Sequence, residues 1–371
     1  MTTKTLNVKV KNEKIKREYF QFLENGKGFS KSSVGSVEQA IWRYEEFTEG
    51  ADYAAFNNGT ARDFKKWLAA ERNGRSLSLA SQYHQLRFLK DFFTWLATRP
   101  GYKSRIDHSD VQYLTLDKKQ RRIAISSRRK EYPSLEFVVS LCNGMEVITE
   151  VDRRDRAIIA FAMLSGMRDD AIASLPIGCF DPEKLIADQD PAKGVRSKFA
   201  KHIFTTLFRF DESLVGYVLE WYKHLRTIRL FSDTDPLFPR TKIEHKSEED
   251  YCFEGTEVEP VFWKSAQAIR SIFKYHMEKA KLRYYIPHAF RHAAIHEAVK
   301  RCRTPEEMRA ISQNIGHENV GTTLTTYGKL DDYRVEDIIG KMGSRQWKEG
   351  DIDLDLVPKD KLLEALGRRI S

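Results

Sequence analysis

Between Pro287 and Tyr327 the chain gathers, in short ordered steps, the side chains that a phosphoryl transfer needs. The run Pro287-His288-Ala289-Phe290-Arg291-His292 is followed by Gly316-His317, and Tyr327 stands ten residues past that histidine. Moving a phosphoryl group to a hydroxyl requires an in-line nucleophile, positive charge on the non-bridging oxygens and a proton donor for the leaving oxygen. Guanidinium grips two phosphate oxygens at once and keeps its charge at any useful pH, which suits Arg291 and Arg168. Arg291 lies one helical turn after His288, so the two can face the same way. Pro287 suits the first turn of that helix. Imidazoles at His288 and His317 can donate a hydrogen bond or pass a proton near neutral pH. Gly316 permits a sharp turn before His317. A capping box, Thr304-Pro305-Glu306-Glu307, opens the helix that leads there. A phenol titrates near pH ~10, so Tyr327 must lose its proton during attack or be activated by nearby positive charge. Two histidines can hold a metal, but no carboxylate or cysteine stands beside them at ligand spacing, so no metal is expected. There is no glycine-rich phosphate loop and no G-x-S-x-G elbow, and no cofactor is expected.

These motifs resemble the signature of the tyrosine recombinase (phage integrase) family: H-x-x-R, a leucine- or isoleucine-G-H turn, then a nucleophilic tyrosine. Thr322-Thr323-Leu324-Thr325-Thr326-Tyr327 is similar to the family's TT-x-x-x-Y run, with Tyr333 as a nearby decoy. Leu164-Ser165-Gly166-Met167-Arg168 resembles its T-G-L/M-R-x-x-E-L box, with Leu175 seven residues on. Ala171 stands where the family usually has an acid; Asp170, one residue away, is the alternative. Val195 to Ile203 resembles the family's G-K-G-x-K-x-R-x-V hairpin, which makes Lys198 the general-acid candidate and Lys201 its rival. Leu237-Phe238-Pro239 resembles a landmark before a long helix, and His292 is expected to buttress the site from behind.

The resemblance implies a site-specific recombinase that cleaves and rejoins DNA through a 3′-phosphotyrosine and a Holliday junction, without metal. The implied catalytic set is Arg168, Lys198, His288, Arg291, His317 and Tyr327. The implied partners are double-stranded DNA carrying an inverted-repeat core site, further copies of the chain in a tetramer on two sites, and accessory DNA-bending or directionality proteins. Two other readings stand beside it: a nicking-closing topoisomerase, and a DNA-binding protein that has lost catalysis. The N-terminal helices and the tail helix described below argue against the first, and the intact constellation against the second.

The elements that must position these residues follow from composition and period. The chain has 371 residues and a net charge of +9, enough for two cores and suited to a polyanionic partner. Cys142, Cys179, Cys252 and Cys302 form no C-x-x-C pair and read as reduced thiols. The longest apolar run, Ala157 to Leu164, is far too short to span a membrane, and Met1 to Lys11 has no apolar signal core. A cytoplasmic, nucleoid-associated protein is expected.

The pattern predicts a mainly α protein with a small β-sheet: an N-terminal helical bundle and a C-terminal α+β unit, which the resemblance makes a core-binding (DNA-binding) domain and a tyrosine recombinase catalytic domain. Residues 12–100 carry four amphipathic stretches, centred on Tyr19, Ile41, Phe64 and Leu89. Residues 101–133 read as a basic linker whose Lys118, Lys119, Arg121, Arg122, Arg128, Arg129 and Lys130 can track a phosphate backbone. The resemblance implies that residues 134–371 form the catalytic domain. In it, 135–145, 151–164, 214–226 and 260–281 read as helices, and His202 to Phe210 as a strand after a turn at Lys193-Gly194. Glu244 to Glu259 reads as an acidic loop. Leu362, Leu363, Leu366 and Ile370 share one face of a tail helix, Pro358 to Ile370, which docks either on a neighbouring protomer or on its own domain.

Overall fold

Helix starts are set by side-chain caps. In the computed structural model, which describes residues 3–71, 76–126, 131–242, 255–317 and 321, the chain divides into units Met1–Arg128 and Arg129–Ser371. The first unit contains α1 (Thr3–Gln21), α2 (Lys31–Phe47), α3 (Asn58–Ala69), α4 (Leu79–Leu96), α5 (His108–Val111) and α6 (Lys118–Ile125). Ser30, Asn57, Ser78 and Asp117 each accept a backbone N–H of the first turn that has no partner within its helix.

An aromatic cluster fills this unit. Phe56 stacks on Phe93 with ring centroids 4.0 Å apart, and Tyr44 meets Phe93 and Phe64 edge-on at 5.1 and 5.4 Å. Beneath it the buried Tyr53 hydroxyl donates to Glu45, which also receives the Lys16 ammonium.

Two expectations change here. Helix α1 begins at Thr3, earlier than residue 12, over a stretch too polar to show an apolar period. The segment expected as a linker over 101–133 is largely folded: Tyr102, Ile106, Val111, Leu114 and Leu116 are buried in the first unit's core. Their uneven spacing follows a tertiary path and no helical period.

The second unit is built around one buried helix. It contains α7 (Leu135–Asn143), α8 (Glu150–Ser165), α9 (Asp169–Ala173), β1 (Phe180–Asp181), β2 (Ile186–Gln189), β3 (Ile203–Thr206), α10 (Glu212–Thr227), β4 (Arg240–Thr241), β5 (Val258–Glu259), α11 (Gln267–Lys279), α12 (Pro287–Arg301) and α13 (Pro305–Asn314). Every side chain from Ala157 to Leu164 in α8 is 1% exposed or less. A helix apolar all round must be enclosed, and α7, α10, α11 and α12 pack against it. Near its start, Asp155 takes two bonds from Arg154 through one oxygen and pairs with His276 through the other. That arrangement satisfies three buried polar side chains together.

Strands β1, β2 and β3 form an antiparallel sheet in that order, with Ala187 opposite Thr205. The strand expected over 202–210 is confined to Ile203–Thr206. At its end Phe208 leaves the sheet and donates its N–H to Leu164. The acidic stretch is described only from residue 255, where β5 pairs with β4. No helix among the described residues is long and apolar enough to cross a membrane.

Candidate active site

Arg291 is the fixed point of the site. It sits one turn into α12, which Pro287 opens, and its side chain is 3% exposed. Its guanidinium donates to the carbonyl of Gly166 and, at 2.8 Å, to that of Ile315. Both are helix-end carbonyls, left without an intrahelical partner and oriented towards a cation. Gly166 ends α8 in a left-handed turn at φ 58°, with α12 so close that an added Cβ would meet Ala294 at 3.4 Å. That turn hands the chain to Arg168, the half-buried N-cap residue of α9.

Gly316, at φ 71°, makes the second sharp turn, and a side chain there would collide with Ile203 of β3. The turn delivers His317, whose Nε2 lies 3.4 Å from a terminal guanidinium nitrogen of Arg291. Burial, then the charges of Arg291 and Arg168, hold the His317 pKa down at about 4. At neutral pH this imidazole is therefore uncharged. An Nε2 that faces a donor is the acceptor, which assigns its proton to Nδ1. His288 is exposed in the first turn of α12, with its ring edge-on to the buried His292, 4.7 Å between centroids.

Lys198 lies in the 3-10 turn Lys198–Ala200 that links β2 to β3. The structure brings Arg291 and His317 together with Arg168 close by; Lys198 is exposed, its ammonium 4.9 Å over the Phe199 ring. Two clamps fix this loop. Arg196 donates its N–H to Ser174 and its side chain to Asp170 and to the Trp263 carbonyl. On the other side, the Asn314 side chain bonds both backbone groups of Thr206, and its carbonyl accepts the Thr205 hydroxyl. Asp170 thus holds the hairpin, while Ala171 is buried.

Sequence reading missed these clamps and one polar knot. Asp188, Asp190 and His202 bring three potential ligand atoms within 4.8 Å of one another. Asp188 already pairs with the Lys193 ammonium and with His202, and Asp190 caps the Ala192 N–H. The cluster ties the base of the hairpin loop. Its ends lie 14 positions apart, so no short spacing announces it.

Lys118, Lys119, Arg121 and Arg122 line α6, all exposed. Arg128, Arg129, Lys130, Tyr327, Tyr333 and the tail helix lie outside the described residues.

No family model and no curated protein matches the sequence. Solved structures do. A lambda integrase dimer bound to a COC′ core site superposes with a TM-score of 0.58 at 13% identity, over 92% of this chain and 99% of that one. XerH site-specific recombinase bound to palindromic difH substrate in a post-cleavage complex gives 0.58 at 16%, over 88% and 84%. The Tn1549 transposon integrase in complex with transposon right end DNA gives 0.53 at 13%, over 89% and 99%. The fold is that of the tyrosine recombinases and integrases: a helical unit followed by an α+β unit with a small antiparallel sheet.

Proposed function

We propose that this chain is a site-specific DNA recombinase working through a phosphotyrosine. The observation that carries the reading is the buried Arg291 guanidinium, set between two helix-end carbonyls and facing a neutral His317, on a recombinase fold. A cation held this rigidly is prepared for a phosphate before the phosphate arrives.

The Tyr327 phenolic oxygen attacks the scissile phosphorus in line. The bond from phosphorus to the 5′ oxygen breaks, the phenolic proton leaves to a base, and a 3′-phosphotyrosine remains. The Lys198 ammonium, brought in as the hairpin loop meets DNA, protonates the departing 5′ oxygen. Arg168 and Arg291 bear on the non-bridging oxygens, and His288 and His317 hydrogen-bond the phosphate. The freed 5′ hydroxyl then attacks a partner's phosphotyrosine, reforming one phosphodiester and releasing one tyrosine. Two such rounds make and resolve a Holliday junction. The phosphoester bond is conserved in the protein link, so the account needs neither ATP nor metal. The first unit grips the duplex, the basic stretch through α6 to Lys130 follows its backbone, and the second unit carries the chemistry. Four copies act on two inverted-repeat core sites, with accessory proteins setting direction.

The test uses a duplex selected from a randomised pool by binding to the full chain, placed in a nicked suicide substrate with excess EDTA. A DNA-linked protein band on a denaturing gel is the expected result. Cleavage that appears only with Mg²⁺ and leaves no covalent adduct contradicts the proposal.

A further inference from the structure

The recombinase chemistry leaves one feature of the hairpin loop unused. Phe199 is 79% exposed. Isolated exposed apolar residues are common and by themselves mean little. Its backbone is unusual, however: Phe199 is left-handed at φ 61°, and Ala200 follows at φ 49°. Two consecutive non-glycine residues in that region are strained, and such strain persists only where surrounding contacts impose it. Here Ser197 imposes it: its hydroxyl donates to the Lys201 carbonyl at 2.6 Å and its own carbonyl accepts the Ala200 N–H. The result is a ring turned outward at the loop tip.

The ring's surroundings identify its partner. No acid occurs from Pro191 to Phe210; Lys193 and Arg196 pair with Asp188 and Asp170, the Lys198 ammonium lies 4.9 Å over the ring, and Lys201 and Arg209 belong to the same stretch. A second exposed aromatic, Phe204, lies against the His202 ring at 4.6 Å. Aromatic faces set among cations match a polyanion with stackable bases. The loop is also fixed relative to the site, through Arg196 to Asp170 and through β3 to Asn314, three residues before His317.

Resting on the recombinase reading, we propose that Phe199 is a wedge that enters duplex DNA and stacks on a base beside the scissile phosphate, unstacking that step and seating Lys198. A wedge works most easily where stacking is weak, so the preferred cleavage step is pyrimidine–purine, TA or CA/TG.

The probe is the pool-selected duplex with 2-aminopurine placed in turn at each base near the cleavage position. Full-length wild-type protein should raise the fluorescence at one base. Phe199→Ala should abolish the rise and slow adduct formation roughly five- to hundredfold, the range for one lost aromatic–base stack. An abasic nucleotide at the stacked position should restore the Phe199→Ala rate. Phe199→Gly should melt at a higher temperature than wild type, since glycine relieves the left-handed strain, yet should fail to unstack the base. That combination separates a DNA role from a folding role. Equal fluorescence and equal adduct rates in wild type and Phe199→Ala overturn the proposal, as does a Phe199→Ala chain that handles DNA normally but loses self-association. If wild type forms no adduct, the recombinase reading fails, while the fluorescence at the bound base still decides for or against the wedge.

Discussion

Asn314 pairs with Thr206 as a neighbouring strand would. The Thr206 N–H donates to the Asn314 side-chain oxygen at 2.7 Å, and the Asn314 amide nitrogen donates to the Thr206 carbonyl at 2.9 Å. One amide side chain thereby completes the free edge of β3 and joins the hairpin to the turn that carries His317. Asn314→Ala removes both bonds, at a cost of roughly 1–2 kcal/mol. The expected outcome is faster hydrogen exchange at the Thr206 amide and slower DNA cleavage, with DNA affinity retained. Unchanged exchange would mean that the sheet edge holds without Asn314.

His317 gives the protein an acid-sensitive element. Its pKa is about 4 in the folded chain against an ordinary 6.5, so the unfolded chain holds more protons between those values. Stability therefore falls as pH drops from about 6.5 towards about 4 and gains no further loss from this group below that. His317→Gln should flatten this part of the profile, read as denaturation midpoints at pH ~7 and ~5. A bound phosphate beside the ring favours its charged form, so DNA should raise the His317 pKa, observable by NMR of the imidazole. Identical pH profiles in the two proteins would contradict the assignment.

Helix α6 exposes Lys118, Lys119, Arg121 and Arg122 and buries no side chain. If each neutralises one phosphate, changing all four to glutamine lowers the slope of log affinity against log salt by roughly 3 to 4. Selected and random duplexes should weaken alike, since phosphate contacts carry no base information. An unaltered slope would make these residues merely solvated.

The Arg291–His317 pair was legible because its members sit at short spacings with strong local signals. Pro287 opens a helix, Gly316 makes a turn, and Arg291 and His317 follow from them. What was not legible is what holds the parts together. Arg196 reaches Asp170 across 26 residues and Thr206 reaches Asn314 across 108, separations that no spacing pattern encodes. The fold class followed from period, but Tyr102, Ile106 and Val111 have none, so a buried segment resembled a linker. Strands of two residues, such as β4 and β5, are too short to alternate.

Lys198 stands exposed over Phe199, so the acid role proposed for it depends on the loop meeting DNA. Lys198→Ala should slow cleavage of ordinary DNA by about a hundredfold or more, the scale of a lost general acid. A 5′-bridging phosphorothiolate leaves as a thiolate and needs no proton, so that substrate should be cleaved at nearly the normal rate. Equal slowing on both substrates removes Lys198 from the role, and rescue of Lys201→Ala instead moves it three residues on.

The proposed chemistry joins DNA covalently to one phenol, and trapping that bond reads it out. Wild-type protein and Tyr327→Phe are incubated with the suicide substrate and run on a denaturing gel, with Tyr333→Phe as the control. Tyr327→Phe should bind the duplex normally and yield no adduct, while Tyr333→Phe yields the wild-type amount. An adduct that persists in Tyr327→Phe and disappears in Tyr333→Phe would contradict the account.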